Sequence, residues 1–230
     1  MMRDYSEKEI RDIVASVVSQ SMLAAQVTAK AVGQGAGPCP KETRPVAVEV
    51  SARHVHLTQD AVERLFGKGH QLTKKRDLSQ PGEFLAEERV KIATSKGEFA
   101  NVAVLGPVRS AVQVELSVTD SRTLGIKAPV NLSGSLNGAA DVVLISPSGV
   151  YQADGSAIVA KAHIHMTPKD AQAYGVRDGQ RVRVHLDSPR PITIDDVLIR
   201  VKERYSMVMH IDFDEANAAA ISGNVTGYIE

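Results

Sequence analysis

The sequence predicts a mainly β protein, two related β-barrels capped by short α-helices. Three observations predict it. From Val46 onward, short β-branched segments of alternating polarity follow one another, separated by turn residues such as Ser95-Lys96-Gly97 and Asp178-Gly179. Helical periodicity in this region is brief, confined chiefly to residues 58–66, 167–174 and 214–222, which argues against an alternating parallel α/β fold. One pattern also occurs twice, as Ser51-Ala-Arg-His-Val-His-Leu-Thr58 and Ala160-Lys-Ala-His-Ile-His-Met-Thr167. Each copy runs into a short helix that ends near a glycine, Gly67 or Gly175, so the body reads as two related half-structures.

Taken in order, residues 6–25 place Ile10, Ile13, Val14, Val17, Val18 and Leu23 at helical spacing opposite Glu7, Lys8, Arg11 and Asp12. Ser6 and Glu9 can form a capping box, so an amphipathic helix is expected. Residues 26–45 contain Gly33, Gly35, Gly37, Pro38 and Pro40 with almost no large apolar side chain, which is linker composition. The helix therefore reads as a separate interaction segment, with folding back onto the body as the alternative. The body follows with predicted strands at residues 46–50, 90–93, 102–105, 112–118, 142–145, 182–185, 192–201 and 207–211.

Composition narrows the function. The 230 residues are 43% hydrophobic, enough for a folded enzyme. Twenty-seven basic residues cancel twenty-seven acidic ones, which removes the broad positive field of nonspecific nucleic-acid binding and leaves any anion to a local site. Cys39 is the only cysteine, so neither a disulfide nor a thiolate cluster is available, and a reducing cytoplasm fits. No apolar run approaches the roughly 20 residues that span a bilayer, and the start Met1-Met2-Arg3-Asp4 lacks a secretory pattern, so a soluble protein without membrane partners is expected.

Four of seven histidines lie in the two His-x-His pairs. On a strand, His54 and His56 point to one face about 6.5 Å apart, as do His163 and His165, which is close enough to grip one ion. Neutral imidazoles joined by a carboxylate, without cysteine, suit zinc and leave a position for substrate. His210 follows the apolar strand Met207-Val-Met209 and is a candidate fifth histidine ligand. Glu115 sits within Val112-Gln-Val-Glu-Leu-Ser117, where it either faces solvent or, if buried, needs a partner such as a metal. His70 and His185 read as ordinary surface or edge residues. Arg109 closes the turn Gly106-Pro-Val-Arg109, where its planar fork can meet phosphate oxygens. Lys74-Lys75-Arg76 reads as a solvated basic loop that becomes an anchor beside a phosphate-bearing cofactor.

Together, His54-Val-His56, Asp77-Leu-Ser-Gln-Pro-Gly-Glu-Phe84, Leu105-Gly-Pro-Val-Arg109, Val114-Glu-Leu-Ser-Val-Thr-Asp120, His163-Ile-His-Met-Thr167 and His210 resemble the PduL-type phosphate propanoyltransferases of bacterial microcompartments. The resemblance covers about residues 45–225. It implies two β-barrels, one from residues 46–52 with 161–230 and the other from 53–160, and two zinc ions per chain held by His54, His56, Glu115, His163, His165 and His210. Arg109 is implied as the phosphate ligand, and Ser51, Arg76 and Asn217 as contacts to coenzyme A. At Ala103 similar sequences tend to have a basic residue, so this chain departs there. The implied reaction is acyl-CoA plus phosphate giving acyl phosphate plus coenzyme A; direct attack of phosphate, without an acyl-enzyme, is expected because a metal-held, Arg109-clamped anion needs no protein nucleophile. Residues 1–25 are implied as a peptide that docks on shell proteins and supports a homo-oligomer, placing the enzyme in a cytoplasmic microcompartment. A metal-dependent hydrolase and a noncatalytic metal-binding protein are the alternatives; the barrel fold of His-x-His hydrolases needs about 250 residues of alternating strand and helix.

Overall fold

The computed structural model describes residues 44–230; the amphipathic helix expected over residues 6–25, Cys39 and the expected linker as far as residue 43 lie outside them, while Arg44 and Pro45, expected as the end of that linker, begin the first strand. Two six-stranded barrels account for most of the described strands. The first barrel is built from β2 (His54–His56), β4 (Phe84–Ala93), β5 (Glu98–Gly106), β6 (Gln113–Leu116), β8 (Ala140–Ile145) and β9 (Val150–Ala160). It closes in the order β4, β5, β2, β6, β9, β8, with β8 returning to β4; β3 (Lys74–Asp77) is added outside β4, and β7 (Val130–Asn131) pairs with β9. The second is built from β1 (Arg44–Val50), β10 (His163–Met166), β11 (Arg181–Asp187), β12 (Ile192–Val201), β13 (Val208–Ile211) and β14 (Val225–Ile229). It closes in the order β1, β13, β10, β12, β11, β14.

The repeat seen in the sequence is a repeat of pairing. β2 lies parallel to β5 and antiparallel to β6, and β10 lies parallel to β12 and antiparallel to β13. β6 then pairs in parallel with β9, whereas β13 pairs in parallel with β1. The strand that closes the first half at its end is thus matched, in the second half, by the strand at the start of the described chain.

Each barrel has its own core, one around Val55, Leu57, Ile92, Val104 and Leu144 and the other around Ile164, Met166, Val184, Ile199 and Met209. Val55 and Ile164 are the middle residues of the two His-x-His segments and are fully buried. Side chains alternate along a strand, so seating these two in the cores turns all four histidines out of the barrel walls. Each burial contributes about 1.5–3 kcal/mol, which makes this register costly to reverse.

Short helices end these strands where the polar caps appear. Thr58 caps α1 (Gln59–Phe66) by accepting from the Ala61 N–H, and Thr167 caps α3 (Pro168–Tyr174) with a capping box to Asp170. Gly175 stops α3 in the left-handed region, at φ 64°. The strand expected at residues 112–118 instead ends at Leu116, because Ser117 and Asp120 form a capping box that starts α2 (Val118–Thr123). The helix expected at residues 214–222 is α4 (Phe213–Ala218), capped by Asp212 and ended four residues earlier than its apolar pattern suggests. The basic run expected as a loop forms the edge strand β3, whose four residues are all exposed.

Candidate active site

The outward face of the first half carries three ligand-type groups. His54 and His56 project from β2, and β6 places Glu115 directly opposite His54 in the antiparallel register. His54 Nε2 and His56 Nε2 are 3.2 Å apart, and each lies 3.6 Å from a Glu115 carboxylate oxygen. All three residues are buried, so Glu115 takes the second of its two readings and does not face solvent. The second half repeats the arrangement. β13 sets His210 opposite His163, and the rings of His163, His165 and His210 have centroids 4.7 to 5.3 Å apart. Within each group the ligand atoms all lie within 4.8 Å of one another.

Tautomers are set in the same way in both halves. His54 Nδ1 donates to the Ala52 carbonyl and His163 Nδ1 to the Lys161 carbonyl, each at 2.8 Å and each two residues back along the chain. That leaves both Nε2 atoms as lone-pair donors, the usual outer support of a metal-binding histidine.

Burial acts on the protonation of these groups. Burial pulls His54 down, but adjacent Glu115 more than offsets it and raises it overall. Burial pushes Glu115 up, yet His54 and His56 outweigh this and hold it well below the usual carboxylate range. Burial lowers His163, and brings His56 down to about 4, His165 to about 2 and His210 to about 3, with neighbouring histidines and Arg109 or Arg200 adding to the last three. Neutral imidazole is the form that binds metal. Three buried imidazole nitrogens, His56 Nδ1, His165 Nδ1 and His210 Nε2, have no hydrogen-bond partner among the described residues. Buried nitrogens without a partner are costly, and groups of three converging donors of this composition fit zinc.

Both groups line one cleft of about 1070 Å³, together with Ser51, Arg76, Ala103 and Arg109. Eight basic residues border it, Arg53, Arg76, Arg89, Arg109, Lys161, Arg200, Lys202 and Arg204, against three acidic ones, Glu49, Glu83 and Glu115. A chain of zero net charge thus concentrates positive charge where an anion would bind. The guanidinium of Arg109 is oriented by Ser133 Oγ at 3.1 Å and Glu83 Oε1 at 3.2 Å, and its backbone N–H donates to the Leu57 carbonyl. The turn that carries it begins at Gly106, where a Cβ would fall 2.2 Å from the Phe84 ring.

Comparison with known families identifies the family of the chain that carries this cleft. The profile of the phosphate propanoyltransferases matches residues 47–222, a span that holds both ligand groups and Arg109. The chain belongs to the phosphate propanoyltransferase family. Among its relatives of that name, the protein of Leptotrichia buccalis is 52% identical over 183 residues, 80% of this chain and 87% of that one. The protein of Enterococcus faecalis is 50% identical over 182 residues, 79% and 86% of the two chains. That of Priestia megaterium is 47% identical over 225 residues, 97% and 96%. This phosphate propanoyltransferase family member is accordingly an acyltransferase.

Not every residue singled out in the sequence reaches the cleft. Asn217 is exposed on α4 and is not part of the lining. His70 Nε2 lies 2.7 Å from Glu88 and His185 Nδ1 3.2 Å from Thr193, both outside it. Conversely, Gln113 escaped notice although it lies on the face of Glu115, two residues away. Its Nε2 donates to Glu115 Oε1 at 2.6 Å and to Ser133 Oγ at 2.9 Å, and its Oε1 accepts from the Gly134 N–H at 2.8 Å. It ties Glu115 to the residue that steers Arg109. Arg200, the register partner of His165, and Tyr205, stacked on His165 at 4.1 Å, were also missed, since both depend on pairings that lie far apart in sequence.

Proposed function

We propose that the chain is a zinc-dependent phosphate acyltransferase, interconverting propanoyl-CoA or acetyl-CoA and phosphate with the acyl phosphate and coenzyme A. The observation that carries this reading is the meeting of two three-donor groups and Arg109 in one cationic cleft. His54, His56 and Glu115 would hold one zinc ion, and His163, His165 and His210 a second. Zinc bound there supplies the charge that attracts phosphate, polarises the thioester carbonyl and eases departure of the thiolate.

The chain's own part is positioning. Arg109, held by Glu83 and Ser133, offers a preset fork to phosphate oxygens, so that the anion is placed for reaction before the thioester arrives. A phosphate oxygen attacks the thioester carbon, the carbon–sulfur bond breaks, and its electron pair leaves with sulfur, which takes up a proton on release. No acyl group passes through a protein side chain. Coenzyme A contacts are assigned to Ser51 and Arg76, which border the cleft, and to Asn217 on the resemblance alone.

Residues 1–25 act as a docking segment that lays an apolar stripe against microcompartment shell protein and favours self-association, in the cytoplasm. Support comes from the stripe of Ile10, Ile13, Val14 and Val17 in the sequence. The test of the catalytic reading is thioester consumption by the purified chain before and after chelation. Activity that disappears with the metal and returns with zinc supports it, and activity indifferent to chelation refutes it.

A further inference from the structure

One row of side chains crosses the first barrel on its cleft face. Arg89 of β4 stands opposite Ala103 of β5, Ala103 opposite His54 of β2, and His54 opposite Glu115 of β6. Residues in such a row share a face. Arg89 and Ala103 both line the cleft, and the methyl group of Ala103 leaves the surface between Arg89 and His54 open. At about 4.8 Å between strands, the backbone of Arg89 is about 10 Å from that of His54. Its backbone is thus set back from His54 by two strand spacings, and its side chain, held by carbonyls of its own strand, suits a group further along the same substrate.

The pairing register shifts between Leu85 and Arg89, a bulge that leaves carbonyls outside the ladder. Arg89 Nη1 donates to the carbonyls of Ala86 and Glu88, the second at 2.7 Å. These bonds fix the side chain and leave the rest of the fork free. Arg53, Arg109 and Lys161 of the same cleft are paired with Asp120, Glu83 and Asp196, whereas Arg89, like Arg76, Arg200, Lys202 and Arg204, pairs with no carboxylate among the described residues; of these five, Arg89 is the one in the row with Ala103 and His54. Capping a bulge accounts for Nη1. It does not account for an uncompensated charge at the edge of a substrate cleft.

We propose that Arg89 is a specificity-determining contact for a phosphate group of the coenzyme A nucleotide, supplying from β4 the cation that Ala103 on β5 cannot. The assignment rests on the acyl-CoA reading above. Binding of this kind is shared by ground and transition states, so its loss raises KM with little change in kcat.

The test compares the full chain with R89A, R89Q and R89A/A103R, using propanoyl-CoA and propanoyl-pantetheine, which lacks the nucleotide phosphates, at saturating phosphate. In R89A and R89Q the KM for propanoyl-CoA rises about tenfold, the scale of one charge-assisted contact, while KM for phosphate, zinc content and kinetics with propanoyl-pantetheine stay as in the parent. R89Q keeps a donor for the bulge carbonyls, so a shift there reports charge and not folding. R89A/A103R recovers most of the lost affinity. The proposal is overturned if KM for propanoyl-CoA is unchanged, if propanoyl-pantetheine is affected equally, or if A103R recovers nothing. Failure of the underlying reading looks different, because the parent chain would then consume neither thioester in a phosphate-dependent way, and the assignment of Arg89 would fall with it.

Discussion

Glu115 and His210 occupy the same place in the two halves of the molecule: Glu115 faces His54 across β2 and β6, and His210 faces His163 across β10 and β13. One half therefore presents two imidazoles and a carboxylate, and the other three imidazoles, on the same scaffold. The charge difference between the groups comes from this single substitution within a repeat.

If each group holds its own zinc ion, the groups should fail separately. His54→Ala and His163→Ala are each expected to lower zinc content from about two ions per chain to about one, and to reduce turnover together with it. Metal analysis of the purified variants checks this, and full zinc with full turnover in either would remove that arm from the site.

Arg109→Ala removes an anion clamp without removing a metal ligand. Zinc content should stay at the parent level while KM for phosphate rises about tenfold or more, and Arg109→Lys should recover only part because it lacks the planar fork. Steady-state kinetics in phosphate decide the matter, and equal phosphate dependence in parent and alanine variant would contradict the role.

Gln113→Ala should act at a distance. It leaves Glu115, Ser133 and the Gly134 N–H without their shared partner, so a stability loss of about 1–3 kcal/mol and a zinc affinity weakened about 10- to 100-fold are expected. Urea unfolding and a competitive zinc titration read the two effects. Unchanged zinc affinity would reduce Gln113 to ordinary packing.

Glu215 gives a stability effect of defined sign. Burial, aided by Asp212 and Asp214 and opposed by the Asp212 N–H, pushes its carboxyl up to about 7 from an ordinary 4.5. Between these values the unfolded chain loses the proton and the folded chain keeps it, so this contribution is whole below about pH 4.5 and is lost as pH rises through 7. Glu215→Gln, which can still accept from the Asp212 N–H, should be about 1–3 kcal/mol more stable relative to the parent at pH 8 than at pH 5. Parallel stability curves across that range would contradict it.

The histidine arms were legible because strand alternation is local: once Val55 and Ile164 are apolar, their neighbours must point the other way. The barrel fold was legible for a related reason, since strand 192–201 and most others carry their own alternation. Pairing across the sheet was not. Whether Glu115 faced solvent or His54, whether Gln113 bonded Glu115, and whether Arg89 and Arg200 reached the cleft depended on contacts between distant segments that no local pattern encodes. Helix α2 escaped because six residues set by one polar cap have no room for an apolar period. Strand β9 escaped because Ala153, Gly155 and Ser156 interrupt its apolar pattern, although the segment is needed to close the barrel.

Phosphate, and not water, is expected to receive the acyl group. This is tested most directly by measuring propanoyl-CoA loss by the zinc-loaded chain against acyl phosphate formed, with and without phosphate. The prediction is one acyl phosphate for each thioester lost, and no appreciable loss when phosphate is absent. Thioester loss at an equal rate without phosphate, yielding free propanoate, would contradict it and make the cleft that of a hydrolase.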